Sequence, residues 1–192
     1  GAMFPTPAID LAQTAHQLNA SGYDRWRSRV RGLPESFGDL PAAVMAEEME
    51  TEGPGHIRAL VNFAGNPVLS VPNGSRLDRA IANLEFRVAI DIYMNETNRH
   101  ADVILPAVGA LGEEYVDVFF GTMAVRNFTR YSPAVVTPDP DVKADWEILV
   151  ALIEGLGGGP TGEPWMDRLI KLLGIQWTPT KMADLMLRFG AY

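Results

Sequence analysis

The sequence predicts an α/β fold: a Rossmann-like parallel sheet flanked by helices, with a helical C-terminal extension. Two apolar runs, 57–63 and 86–92, have strand length and composition. Between them, 75–84 is amphipathic, with Leu77, Ile81 and Leu84 on one side. A third apolar run, 103–105, follows a short polar turn. Strands separated by helices imply parallel pairing through right-handed crossovers. Three strands are few for such a sheet, so at least one more is expected, from outside this chain or from its less regular parts.

Taken in order, 8–20 reads as a helix, with Ile9, Leu11, Ala12, Ala15 and Leu18 near one face. Arg25, Arg27, Arg29 and Arg31 read as a solvated segment paired with local acids; a docking surface is the second reading. Gly and Pro make 32–41 a loop. A helix is expected over 41–50, with Pro41 in its first turn and Ala42, Met45, Ala46 and Met49 as its apolar stripe. After the strand 57–63, Ala64-Gly-Asn-Pro67 breaks the chain. Residues 95–100 form a short helical turn. Extended pieces are expected at 115–120 and 123–126, and an extended loop at 132–140. Asp141 is the expected N-cap of a helix ending near Leu156, which Gly157-Gly-Gly-Pro160 stops. Further helices fit 164–173 and the stretch after Thr178 and Pro179, which ends before Gly190. The resulting organisation is a lead-in at 1–40, a Rossmann-like domain at 41–156 and a helical extension at 157–192.

The 192 residues suffice for a real core. A net charge of −8 argues against nonspecific nucleic-acid or anionic-membrane binding, because phosphates would be repelled. No apolar run approaches the roughly 20 residues of a membrane span, and no secretory signal is evident, so the expected location is the cytoplasm. The absence of cysteine excludes thiolate metal sites, cysteine nucleophiles and iron–sulfur ligation within these residues. No catalytic residue and no metal-ligand spacing stand out: His16, His56 and His100 are scattered, and Glu113-Glu114 is an adjacent pair of the kind that points apart into solvent.

Two groups carry chemistry. In Gly65-Asn66-Pro67, glycine allows close backbone approach to a ligand, Asn supplies donors and an acceptor, and Pro fixes the exit. The ordinary reading is a plain strand-to-helix turn; the dinucleotide glycine fingerprint is missing. The second group is Asp91, Asn95, Glu96, Thr97 and Asp102. A carboxylate can take two parallel hydrogen bonds from guanine or clasp a ribose diol; equally, Asp91 or Asn95 can cap the short helix and Glu96 can sit in its first turn. Carboxylates at a strand end and at the next strand start are expected to share one rim, where open α/β sheets bind ligands.

These motifs resemble the molybdopterin oxidoreductases, the bis-guanine-dinucleotide enzymes of the formate dehydrogenase, nitrate reductase and dimethyl-sulfoxide reductase type. Gly65-Asn-Pro67, the run Asp91…Asn95-Glu-Thr97…Ala101-Asp-Val-Ile-Leu-Pro106, and Asp145-Trp-Glu-Ile148 occur in that family's order and spacing over about 57–150. Arg29-Val-Arg-Gly-Leu-Pro34 and Ala124-Val-Arg-Asn127 look like one cytoplasmic bacterial branch. The usual E-x-x-G-T-x-x-N after Leu-Pro is replaced here by Glu113-Glu-Tyr-Val-Asp117.

The resemblance implies the third, Rossmann-like domain of such an enzyme, holding one guanosine end of molybdopterin guanine dinucleotide with molybdenum or tungsten. It implies Gly65, Asn66 and Pro67 by the phosphate or ribose, and Asp91, Asn95, Thr97 and Asp102 around the guanosine. It also implies a fragment, inactive alone, whose partners are the remaining domains, a small-molecule substrate and a redox partner. A standalone guanine-nucleotide or protein-binding module is the alternative, and a carboxylate hydrolase using Asp91 and Asp102 is the third reading.

Overall fold

In the computed structural model the described residues are 22–117, 120, 124–126, 128–159, 163–172, 174 and 178–188. The helix expected at 8–20 lies outside them. They fall into two compact units, 22–107 and 108–188.

The 22–107 unit contains the parallel sheet. Strands β3 (Ala59–Phe63), β4 (Phe86–Asp91) and β5 (Val103–Pro106) lie side by side in that order. Ala59 pairs with Phe86, and Phe63 with Ile90; Val88 pairs with Val103, and Asp91 with Pro106. Helix α1 (Met45–Glu50), led by a 3-10 turn over Ala42–Val44, and helix α3 (Gly74–Ala82) supply the core. Leu77, Ala80, Ile81 and Leu84 recur at helical spacing and bury against Ala46 and Met49; Leu60 and Val68 pack on the cluster. Alternation along the strands puts Val61, Phe63, Phe86 and Val103 on the other face, where all four are exposed. Between β3 and α3 a four-residue helix α2 (Pro67–Ser70) redirects the chain. A Cβ on Gly74 would sit 2.0 Å from the Val68 carbonyl oxygen, so only glycine lets α3 begin this close to α2.

Before the sheet, β1 (Tyr23–Arg27) and β2 (Pro34–Ser36) form an antiparallel hairpin that the proline and the charge pattern concealed. The arginines do pair with acids, Arg25 with Glu35 and Arg27 with Asp24 nearby, but Arg29 and Arg31 reach Glu48 and Glu47 of α1 rather than local partners. The Arg25–Glu35 pair is not solvated, since Glu35 is fully buried and also accepts the Arg25 and Gly38 backbone N–H groups.

The 108–188 unit holds the short antiparallel pair β6 (Tyr115–Val116) and β7 (Tyr131–Ser132). Its helices are α4 (Asp145–Gly155), α5 (Pro164–Leu172) and α6 (Pro179–Arg188). Asp141 is not the N-cap of α4. The Asp139 side chain accepts the Asp141 N–H in a local turn (3.0 Å), and Glu147 accepts the Ala144 N–H where the helix starts. Thr178 does cap α6, accepting the Lys181 N–H. The expected strand at 123–126 does not form over 124–126, and residues 118, 119 and 121–123 lie outside the described set. Among the described residues no strand joins β3, β4 and β5 to enlarge the sheet. No helix among them is long and apolar enough to cross a membrane.

Candidate functional site

Parallel strands bring their C-terminal ends to one edge, so the turns after β3 and β4 meet there. Ala64 opens the first turn with φ +47°, a left-handed conformation that costs an alanine about 1–2 kcal/mol. Its N–H donates to the Ile90 carbonyl (2.9 Å), which pins the turn to β4. Asn62, the buried polar residue of β3, donates from Nδ2 to the Gly65 carbonyl (2.7 Å) and to Asn98 Oδ1 (2.8 Å). Asn98, only 1% exposed, donates in turn to Asp91 Oδ2 (2.9 Å) and to the Tyr93 carbonyl (3.0 Å).

Asp91 ends β4 and organises the second turn. Its Oδ1 accepts the Ile92 and Tyr93 N–H groups (2.7 and 3.1 Å), and its Oδ2 accepts the Asn95 and Asn98 amides (3.1 and 2.9 Å). Burial pushes this carboxyl up, but the four donors outweigh it and hold it below the usual carboxylate range. Asn95 Oδ1 accepts the Thr97 and Asn98 N–H groups (3.0 and 2.9 Å).

Asn66 and Thr97 join the two turns. Thr97, 2% exposed, donates its hydroxyl to Asn66 Oδ1 (2.8 Å) and accepts the Val68 N–H (3.2 Å). Asn66 Nδ2 donates to Glu96 Oε2 (2.6 Å). The Asn66 amide first, then the residue's own backbone N–H and the nearby Arg99, keep Glu96 below its ordinary range. Behind the turn, Asp78 of α3 binds Arg99 and His100 (2.7 Å each), anchoring the 3-10 segment Asn98–His100 to the helix layer.

Gly65, Asn66, Pro67, Asp91, Asn95 and Thr97 are therefore brought together, as expected. Asp102 is not. It precedes β5 and accepts the Arg87 backbone N–H (2.8 Å) and Arg87 guanidinium (3.0 and 2.9 Å) at the start of β4. The expectation of one rim bearing both carboxylates fails for a geometric reason. In neighbouring parallel strands, the end of one and the start of the next lie at opposite edges. Asp91 is four residues along β4 from Arg87, about 13 Å. Asn62 and Asn98 were missed; the only signal was an amide inside an apolar strand.

The donor set suits a nucleotide. Asn66 and Asn95 each use one amide hydrogen internally and keep a second. A Cβ on Gly65 would meet only ordinary contacts, the nearest at 3.5 Å, so the protein itself makes no demand for glycine there. Among the described residues no cluster of three or more His, Asp or Glu could hold a metal ion.

A recess of about 910 Å³ lies elsewhere, within the 108–188 unit, walled by Tyr115, Tyr131, Trp146, Met182 and Met186. None of the seven expected site residues lines it. Glu113 does, and its Oε1 is buried with no hydrogen-bond partner among the described residues. Burial first, then Asp145 and Glu147, push its carboxyl above the ordinary range. A raised folded-state pKa means that ionisation favours the unfolded chain. The penalty is absent below the unfolded pKa of about 4.3 and grows as pH rises through the raised value. Glu113→Gln is accordingly expected to raise the melting temperature at pH 7 and hardly change it at pH 4. Equal shifts at both pH values would assign the effect to packing instead.

Comparison with known proteins gives the family of the chain. Residues 10–155 match the family described as "Molybdopterin oxidoreductase". The assimilatory nitrate reductase catalytic subunit of Bacillus subtilis (strain 168) is 36% identical over 114 residues, covering 59% of this chain and 15% of that protein. The F420-dependent formate dehydrogenase subunit alpha of Methanocaldococcus jannaschii is 34% identical over 112 residues, covering 58% of this chain and 16% of that protein. Formate dehydrogenase H of Escherichia coli (strain K12) is 34% identical over 103 residues, covering 54% of this chain and 14% of that protein. The matched stretch is thus about one sixth or less of each of these relatives. The chain belongs to the molybdopterin oxidoreductase family.

Proposed function

We propose that this chain is the guanosine-holding α/β part of a longer, molybdopterin-dependent oxidoreductase. In this reading the rim at the C-terminal ends of β3 and β4 takes one nucleotide end of molybdopterin guanine dinucleotide. The observation that carries it is the closed amide network Asn62–Asn98–Asp91–Asn95, joined through Thr97 to Asn66 beside Gly65. The network stiffens two turns at a sheet edge and leaves amide hydrogens of Asn66 and Asn95 for a ligand. Asp91 and Thr97 position these groups; Gly65, Asn66 and Asn95 make the contacts; Pro67 sets the turn. When bound, the metal and pterin supply the electron-pair chemistry. The residues here bind and orient.

The cofactor-holding domain is taken as 41–156, after a lead-in at 1–40 and before an extension at 157–192. The family match runs from residue 10 to residue 155, so it supports the C-terminal bound, where α4 also ends, and takes in most of the lead-in. The exposed Val61, Phe63, Phe86 and Val103 suit a sheet packed within a larger protein, since parallel sheets are ordinarily covered on both faces. The metal ligand, the substrate site and the contacts with a redox partner are assigned to the remainder of that protein. The family match disfavours the standalone-module reading.

The test is amide chemical-shift mapping of the 192-residue chain with guanosine monophosphate. Without the pterin, binding is expected on the order of a millimolar. Perturbed amides should cluster at 64–67 and 91–98. Shifts confined to other residues, or none at saturating nucleotide, would reject the reading.

A further inference from the structure

The recess in the 108–188 unit has a chemistry of its own. Its volume, about 910 Å³, lies within the range of small-molecule sites. Tyr115, Tyr131 and Trp146 contribute aromatic side chains to its wall, and Met182 and Met186 of α6 add polarisable thioethers. The charged lining is of one sign. Glu113, Glu114 and Asp145 are present, and no lysine, arginine or histidine is.

The two adjacent glutamates differ in what they accept. Glu114 is engaged: the Tyr131 hydroxyl donates to its Oε2 (2.9 Å) and the Thr180 hydroxyl to its Oε1, which ties β7 and α6 to the approach to β6. Glu113 Oε1 is buried and takes no hydrogen bond among the described residues. Such an oxygen is costly, and burial with Asp145 and Glu147 beside it already lifts the Glu113 carboxyl above its ordinary range. Glu147 brings no relief, since it is itself acidic and accepts the Ala144 N–H (3.2 Å). The missing element is a positively charged donor, and the lining has none.

We propose that the recess is a binding site for an organic cation with an apolar body, its ammonium or guanidinium head donating to Glu113 and its body lying against Tyr115, Tyr131 and Trp146. Other ligand classes meet obstacles. An anion would face three carboxylates. A neutral apolar molecule would leave the Glu113 oxygen without a donor. A metal ion needs several ligands, and among the described residues no cluster of three or more His, Asp or Glu could hold one. An organic cation gains from the carboxylates and from the negative faces of the rings together. None of the rim residues lines the recess, so this site stands apart from the nucleotide reading.

The 192-residue chain would be titrated with 2-phenylethylammonium, its neutral analogue 2-phenylethanol, and phenylacetate. Affinities would be read from the amide shifts of 112–116, 131–134, 144–146 and 178–186. The ammonium is expected to bind with Kd on the order of a millimolar. It should bind about tenfold tighter than the alcohol, with phenylacetate weaker still. Glu113→Gln should weaken the ammonium about tenfold and leave the alcohol within about twofold. This variant is the one expected to gain stability, so its fold is not at risk. Tyr115→Leu keeps an apolar wall and removes the ring, and should weaken the ammonium about threefold. N-acetyl-arginine amide, standing for an arginine of another polypeptide, would be titrated alongside. Whichever cation binds tighter names the source, and a loss for both in Glu113→Gln supports the site.

Equal affinity for ammonium and alcohol would overturn the assignment, as would undiminished ammonium binding in Glu113→Gln. Shifts confined to other residues, or none at saturating ammonium, would overturn it too. Unchanged ammonium binding in Tyr115→Leu would remove the ring from the site. The guanosine titration is untouched by any of these outcomes, so the two readings fail separately.

Discussion

Replacing Asp91 by alanine is expected to destabilise the 22–107 unit by about 2–4 kcal/mol, more than any other polar change at the rim. Four donors lose their acceptor at once. The Asn98 amide is the most costly of them, since the residue is 1% exposed and water cannot replace the carboxylate. Asp91→Asn should be nearly as damaging, because its amide nitrogen would face donors. The effect has a pH signature. Folding depresses the Asp91 pKa, so its stabilisation is complete above the unfolded value of about 3.9 and is lost as pH falls through the folded value. Urea melts at pH 7 and pH 3 should show a large gap between wild type and Asp91→Asn at pH 7, narrowing at pH 3. A variant within about 0.5 kcal/mol of wild type at pH 7 would mean that Asp91 does not hold the turn.

Leu77→Ala should be equally severe for a different reason. Leu77 is 0% exposed at the centre of the cluster formed by α1 and α3. Truncation loses transfer free energy and leaves a cavity, together about 2–5 kcal/mol. The consequence reaches the rim through Asp78, one residue on, which holds Arg99 and His100 and so the segment carrying Asn98. Hydrogen exchange at 95–100 should therefore accelerate along with the drop in melting temperature. Leu69→Ala, at a side chain 69% exposed, should change stability by less than about 0.5 kcal/mol. Comparable losses in both variants would show that the helix layer is not the support proposed for the rim.

Much of the architecture was readable without coordinates. The apolar runs became β3, β4 and β5, and the amphipathic stretch became α3 within two residues of its expected ends. Each is a local pattern, with its period written in consecutive side chains. The β1–β2 hairpin was not readable, because its buried charge pair joins Arg25 to Glu35 and appears in the sequence only as isolated polar residues. The start of α4 was misplaced because Asp139 and Asp141 are equally good turn formers on paper, and only their hydrogen bond separates them.

By itself the sequence determined the element types, the strand-to-helix turn at Gly65-Asn66-Pro67 and the polar composition of the turn after Asp91. These depend on neighbours a few positions apart. Tertiary structure alone decided which acids share an edge and which are filled by donors. Strand direction sends Asp102 away from Asp91, and the packing of two turns saturates Asp91 with four donors. A carboxylate's chemistry is set by the donors around it, and those donors arrive from strands and turns that only folding brings together.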